Sequence, residues 1–150
     1  MRIHGDYHLG QILYTGNDFY IIDFEGEPLR PFSERRLKNS PVKDIAGMIR
    51  SFHYAVYTSL WKHLTIRPKD IKTLEPWADI WYKYTAGIFF RSYLDTVKEA
   101  PFIPKDKEEL HTLLRVFLLE KAIYEIGYEM NSRPDWLIVP INAIKSLMDD

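Results

Sequence analysis

The stretch His4-Gly5-Asp6-Tyr7-His8-Leu9-Gly10-Gln11 and its continuation Ile22-Asp23-Phe24-Glu25-Gly26-Glu27-Pro28 decide how the chain is read. Two short runs lie between them, Gln11-Ile12-Leu13-Tyr14 and Phe19-Tyr20-Ile21-Ile22. They are rich in β-branched and aromatic residues, which suit a pleated strand. Thr15-Gly16-Asn17-Asp18 separates them with turn-forming residues, so residues 11–23 read as a β-hairpin. A hairpin sets its outer ends side by side. Gln11 opens the first strand and Asp23 closes the second, so amide and carboxylate should meet. Asp6 then lies on the loop that feeds the first strand.

One loop carboxylate and two oxygen donors across a hairpin suit phosphoryl transfer. A carboxylate orients and deprotonates the attacking hydroxyl, while an amide oxygen and a second carboxylate hold Mg²⁺ on the nucleotide phosphates. Kinases carry a catalytic Asp, an amide five residues later and a following Asp-Phe-Gly. Asp6 and Gln11 have that spacing, and Asp23-Phe24-Glu25-Gly26 supplies the second part.

The whole-chain totals bound this reading. A chain of 150 residues can bury one substantial core. A formal net charge of −1 gives no electrostatic reason to expect nucleic acid or an anionic membrane as partner. The absence of cysteine excludes disulfides and thiolate zinc sites and fits a reducing, cytoplasmic setting. No apolar run reaches the ~18 residues of a membrane span, and Met1-Arg2-Ile3 enters the loop without a signal-peptide pattern. A Gly-rich loop followed by a strand lysine does not precede the catalytic loop. The expectation is therefore a C-terminal lobe over residues 1–150, with the N-terminal nucleotide-binding lobe absent from this chain.

Further along, Gly26, Pro28 and Pro31 break residues 24–40 into an irregular loop. Ser40-Pro41 reads as an N-cap with proline in the first helical turn. Ile45, Met48, Ile49, Phe52, Val56, Leu60 and Leu64 follow at helical spacing and predict a helix over about 42–64. Pro68 starts a short helix through Ile71. Pro76 opens a long helix to about Lys98, with Trp77, Ile80, Trp81, Tyr84, Ile88 and Leu94 as its stripe. A fourth helix runs from about Lys105 to Asn131, Arg133-Pro134-Asp135-Trp136 is a turn, and Pro140 opens a short final helix. The fold class is α+β, mainly α, with a hairpin packed on a helical subdomain.

The fourth helix carries two stripes, at ~100° per residue. Val116, Leu119, Ile123, Ile126 and Met130 read as core. Leu110, Leu114, Phe117, Lys121, Tyr124 and Tyr128 lie opposite, beginning apolar and turning into a lysine and two tyrosines with Glu125 beside them. Such a face suits a wall between core and cleft. Tyrosine rings and a charged donor fit a sugar, whose CH faces stack on rings and whose hydroxyls need hydrogen bonds.

His4-Gly5-Asp6-Tyr7-His8 resembles the catalytic loop of the aminoglycoside-phosphotransferase-like kinases, which share a protein-kinase-like C-terminal lobe. The longer pattern is closer to bacterial maltokinases, some of them fused to trehalose synthase. It runs through Ile22–Pro28, Glu34-Arg35-Arg36 to Pro41, Asp44–Phe52, Glu120–Tyr128 and Arg133–Trp136. The resemblance implies ATP-dependent phosphorylation of maltose at its anomeric hydroxyl, in α-glucan and trehalose metabolism. It implies Asp6 as base, Gln11 and Asp23 as Mg²⁺ ligands, and Lys121, Tyr124 and Tyr128 in the maltose pocket. Asp44 matches the helix residue that bonds the catalytic-loop backbone. Gln11 stands where most of the superfamily has Asn, which favours the narrower assignment.

Other readings stand beside these. Asp6 alone would read as a loop carboxylate capping nearby amides. His4 and His8 flank Asp6 in a His-x-Asp-x-His pattern open to a metal, though bracing of the loop explains His4 better. Glu25 and Glu27 read equally as loop or metal ligands and as solvated acids. Arg35-Arg36 reads by default as a solvated run, and otherwise as a pair steering nucleotide phosphate or pinning the loop against Glu25 or Glu27. The Lys121-Tyr124-Tyr128 stripe also fits plain packing with a snorkelling lysine. Trp77, Trp81 and Trp136 read as core. The alternative functions are a non-catalytic kinase-like module beside trehalose synthase and a kinase for another hydroxylated small molecule.

Overall fold

A computed structural model describes residues 1–62, 66–98 and 100–149. The elements are strands β1 (Ile12–Tyr14) and β2 (Phe19–Ile21), and helices α1 (Phe32–Arg35), α2 (Val42–Lys62), α3 (Ile71–Val97), α4 (Lys107–Ser132) and α5 (Ile138–Asp149). Short 3₁₀ turns precede β1, α3 and α5. The chain divides into two compact units, one built from residues 1–50 and 99–150, the other from residues 51–98.

The hairpin forms where the turn residues fall. Its strands are antiparallel, with Ile12 opposite Ile21, Leu13 opposite Tyr20 and Tyr14 opposite Phe19. Thr15 and Asp18 close the turn: the Thr15 amide donates to the Asp18 carbonyl at 3.0 Å, and Gly16 takes a left-handed φ of 93°. The Ile22 amide donates to the Gln11 carbonyl at 3.0 Å, which extends the register by one pair and brings Asp23 beside Gln11.

Helix α2 starts where Ser40-Pro41 predicts. The Val42 amide donates to Ser40 Oγ at 3.3 Å and the Asp44 amide to the Pro41 carbonyl at 3.0 Å. Its first turns bury Ile45, Met48 and Ile49 of the predicted stripe, and Val42 with them. Leu64, the last of that stripe, lies outside the described residues. Gly47 has its own reason. A Cβ there would sit 2.7 Å from the Tyr7 carbonyl, so only glycine lets the helix touch the loop carrying Asp6. Met48 is 1% exposed, and its truncation to alanine removes about 2–5 kcal/mol of stability.

In the first unit α4 packs on α5, and both pack on the Pro134–Trp136 turn. Asp106 caps α4, accepting the Glu109 amide at 2.8 Å. The buried face of α4 corrects the sequence reading. It holds Leu110, Leu114, Ala122, Glu125 and Glu129. Val116, Leu119, Ile123 and Met130, read as core, are exposed, Val116 at 53%. The cause is an ion pair: the Arg50 guanidinium on α2 gives Glu125 Oε2 two bonds, at 3.0 and 2.6 Å, with both side chains buried. A paired, hydrogen-bonded glutamate tolerates burial that a lone one does not. Pro140 sits two residues inside α5, among the amides that have no helical partner anyway.

The second unit is aromatic. His53 lies against Tyr57 at 4.6 Å and Tyr82 at 4.8 Å between ring centroids, Phe52 meets Phe89 edge-on, and the Tyr57 hydroxyl donates to Asp79. Two expectations fail here. Helix α3 begins at Ile71 and carries Pro76 inside it, because the 3₁₀ turn Pro68–Asp70 runs straight into the helix and one missing amide does not end it. Trp77 and Trp81 are exposed, Trp77 at 68%, and Ala78 is the buried residue of α3. Trp136, also read as core, is half-buried under Arg133.

Candidate active site

The loop before β1 is clasped by one carboxylate. Asp44, in the first turn of α2, accepts the His4 amide at 2.7 Å and the Gly5 amide at 2.8 Å, one on each oxygen. Burial pushes the Asp44 carboxyl above its ordinary pKa, and these two amides pull back without cancelling it. His4 is buried beneath the loop. Its Nε2 donates to the Ile22 carbonyl at 2.8 Å, and its Nδ1 accepts the Asp6 amide at 3.3 Å. Both ring nitrogens are engaged, so His4 cannot pair with His8 in a metal site. Among the described residues no cluster of three or more His, Asp or Glu side chains is placed to hold a metal.

Asp6 faces a cleft open to solvent. Gly5–Tyr7 floors it. Glu27 and Arg30 wall it from the loop, Lys43 from α2, and Glu120, Lys121 and Tyr124 from α4. The loops meet where Gly5 and Gly26 cross: a Cβ on Gly5 would lie 3.3 Å from Gly26 Cα, and Gly5 has a φ of 85°. That crossing puts Glu27 near Asp6, and Lys121 Nζ lies between them, 3.4 Å from Asp6 Oδ1 and 3.2 Å from Glu27 Oε2. Lys121 also sits 5.0 Å from the Tyr124 ring centroid. Burial alone would raise the Asp6 pKa. The contact with His8 and the charge of Lys121 outweigh it and hold the carboxyl at about 2.

Tyr124 Oη is buried and makes no hydrogen bond of ordinary geometry. Burial and the Glu27 carboxylate beside it push this hydroxyl well above the ordinary tyrosine range, so it keeps its proton. Glu120 Oε1 joins Arg30 at 2.8 Å and Lys43 at 2.6 Å, tying the loop to α2 and α4. Although burial raises its pKa, those two cations lower it further. Arg35 holds the loop from within, donating to the Pro28 carbonyl at 2.7 Å and the Arg30 carbonyl at 2.8 Å. It is thus a clamp on loop carbonyls rather than on Glu25 or Glu27.

Gln11 Nε2 donates to Asp23 Oδ2 at 3.0 Å, and Asp23 takes the unusual φ of 62°. The pair fits Mg²⁺ by donor type. A hard cation of this size takes one or two protein oxygens and completes its shell with water and phosphate. Rotating the Gln11 amide by half a turn would present its oxygen instead of its nitrogen.

The structure therefore brings Asp6, Lys121 and Tyr124 to one cleft and Gln11 to Asp23, with His4 and Asp44 beneath the loop. Tyr128 is not brought to the cleft. It lies about 6 Å further along the α4 axis than Tyr124 and stacks under Arg133 at 5.5 Å, while Arg133 pairs with buried Glu129 at 2.8 Å. Arg30, Lys43 and Glu120 had no signal in their own segments, because each matters only through partners 77 or 90 residues away.

The fold is similar to part of solved glucosamine kinases. Glucosamine kinase in complex with glucosamine, ADP and inorganic phosphate matches with a TM-score of 0.72 and 22% identity, over 97% of this chain and 34% of that one. Glucosamine kinase in crystal form A matches with a TM-score of 0.73 and 22% identity, over 99% and 34%. In sequence, the chain is 28% identical over 150 residues to the glucosamine kinase of Mycolicibacterium smegmatis, covering 98% of this chain and 34% of that protein. It is 23% identical over 148 residues to the glucosamine kinase of Streptacidiphilus jiangxiensis, covering 99% and 32%. The chain thus spans about a third of the length of the curated relatives it matches. No family model matches it. Among the described residues no helix is long and apolar enough to cross a membrane.

Proposed function

We propose that this chain is the catalytic portion of an ATP-dependent sugar kinase. The observation that carries this reading is the Asp6 carboxylate in a cleft of charged and tyrosine side chains, with an amide–carboxylate pair across the adjoining hairpin. The sugar hydroxyl attacks the γ-phosphorus of ATP. The new O–P bond forms as the bond to the β-phosphate oxygen breaks, ADP leaves, and the hydroxyl proton goes to Asp6 Oδ1. In a loose phosphoryl-transfer transition state the proton moves late, so a carboxyl with a pKa of about 2 serves mainly to orient the hydroxyl. Mg²⁺ held by Gln11 and Asp23 would supply charge neutralisation at the phosphates. Lys121 would lend a donor to the incoming sugar and Tyr124 a ring face.

The substrate we favour is a neutral sugar, and maltose in particular, as the sequence resemblance implies. The carboxylates of the cleft already face cations: Lys121 lies between Asp6 and Glu27, and Arg30 and Lys43 share Glu120. A neutral polyol enters such a site without adding a fourth positive charge to these three. A trehalose synthase, fused or associated, is the partner that goes with maltose. Glucosamine is the second reading, favoured by the names of the relatives. The test is ATP-dependent phosphorylation by the full-length protein with Mg²⁺ and either maltose or glucosamine. Maltose turnover, with the KM for maltose raised about tenfold by Lys121→Ala, is the expected result. Turnover of glucosamine alone would replace maltose in this reading, and turnover of no sugar would overturn the kinase.

A further inference from the structure

We infer that His8 is a positioning residue for Asp6: its imidazole, locked on the backbone amide of Gly10, fixes which Asp6 oxygen receives the substrate hydroxyl. This rests on the reading of Asp6 as the base. Three observations meet on the His8 ring. The Gly10 amide donates to His8 Nδ1 at 3.0 Å and so caps the 3₁₀ turn Leu9–Gln11. A neutral imidazole that accepts at Nδ1 carries its proton on Nε2. That Nε2 lies 3.6 Å from Asp6 Oδ2. The spacing is longer than a hydrogen bond and has the looseness that catalytic pairs show before substrate binds.

The third observation is Gly10 itself. Its φ is outside the left-handed region, so the backbone does not require glycine there. A Cβ would lie 2.8 Å from His8 Cε1 and 3.0 Å from His8 Nδ1. The residue is thus small because the imidazole sits on it, and any side chain would swing the ring away from both the amide and Asp6. With Oδ2 turned to His8, Oδ1 is the oxygen left to the cleft, where Lys121 lies at the long distance of 3.4 Å. A sugar hydroxyl would take that place and give its proton to Oδ1. Nε2 of His8 faces Asp6 and its Nδ1 accepts the Gly10 amide, so the ring is held by both ends. It aims the carboxylate and takes no proton.

The test uses the full-length protein and the sugar that the unmodified protein phosphorylates. His8→Ala should lower kcat about tenfold and leave the KM values for sugar and ATP within about twofold, because orientation acts on the reacting geometry rather than on ground-state binding. Gly10→Ala keeps the imidazole but displaces it, and should give the same kcat loss. The double variant should be no worse than His8→Ala, since both break one device. Imidazole ¹⁵N NMR should show His8 protonated on Nε2, with a signal that moves in Asp6→Asn and loses its tautomer preference in Gly10→Ala. Unchanged kcat in His8→Ala, additive losses, or an Nδ1-protonated His8 indifferent to Asp6→Asn would each overturn the inference. Asp6→Ala separates the two levels. Its loss of activity beside an unaffected His8→Ala refutes only the role of His8, whereas retained activity in Asp6→Ala refutes the base itself.

Discussion

The two ends of the hairpin segment are held by different means. At the Asp6 end the backbone is clasped by Asp44, braced by buried His4, and the side chain is 13% exposed between His8 and Lys121. At the other end β1 and β2 are largely exposed, and Gln11 and Asp23 are held to each other at 3.0 Å. Asp6 is thus placed by tertiary packing: its loop is clasped by Asp44, 40 residues from His4, and its side chain meets Lys121, 115 residues away. Gln11 and Asp23 are placed by local register.

The largest effect that would sharpen this contrast is on Asp6, the proposed base. Asp6→Ala should lower kcat by about 10²–10⁴-fold in the full-length protein, the range for removing a general base. Loss of less than about tenfold, measured by ADP release, would move the catalytic role elsewhere in the cleft.

A second effect concerns stability, where Asp6 and Asp44 should have opposite signs. The Asp6 carboxyl is depressed from 3.8 to about 2, so its stabilisation is complete above 3.8 and disappears as pH falls toward 2. The difference amounts to about 2 kcal/mol. In urea titrations the advantage of the unmodified protein over Asp6→Asn should therefore shrink as pH is lowered. The Asp44 carboxyl is raised, because burial outweighs the Gly5 and His4 amides. Its ionisation therefore weighs against folding at neutral pH, and this cost is relieved as pH falls through its folded value. A parallel pH response of Asp6→Asn and Asp44→Asn would break the contrast.

The smallest effect belongs to the exposed pair. Asp23→Ala should raise the Mg²⁺ concentration for half-maximal rate by about tenfold, with melting temperature unchanged, because the side chain packs against little. A large loss of stability would mean that the hairpin, too, is fixed by tertiary contacts.

Much of the frame was legible in the sequence, and the misses share one cause. The hairpin, the start of α2 and the spans of α2 and α4 follow from turn residues, caps and periodicity that act within a few residues. Helix α4 shows the limit. Its periodicity offers an apolar stripe through Val116, Ile123 and Met130, yet the protein buries the face with Glu125 and Glu129. Glutamate reads as a surface residue until its arginine is known, and Arg50 lies 75 residues away in sequence. Trp77 and Trp81 fail in the opposite sense: hydrophobicity marks a surface that wants cover but not whether this chain covers it.

By itself the sequence determined how the hairpin sets Gln11 beside Asp23, since a two-strand register is decided by the turn between the strands. Only the tertiary structure decided that Lys121 lies between Asp6 and Glu27 while Tyr128 lies outside the cleft. It also decided that His8 and Lys121 together hold the Asp6 carboxyl ionised against its burial. The physical reason is range. Turn and helix propensities are read over a few neighbouring residues. The energy of a buried charge is set by whichever partners the fold brings within a few ångströms, and those partners come from distant parts of the chain.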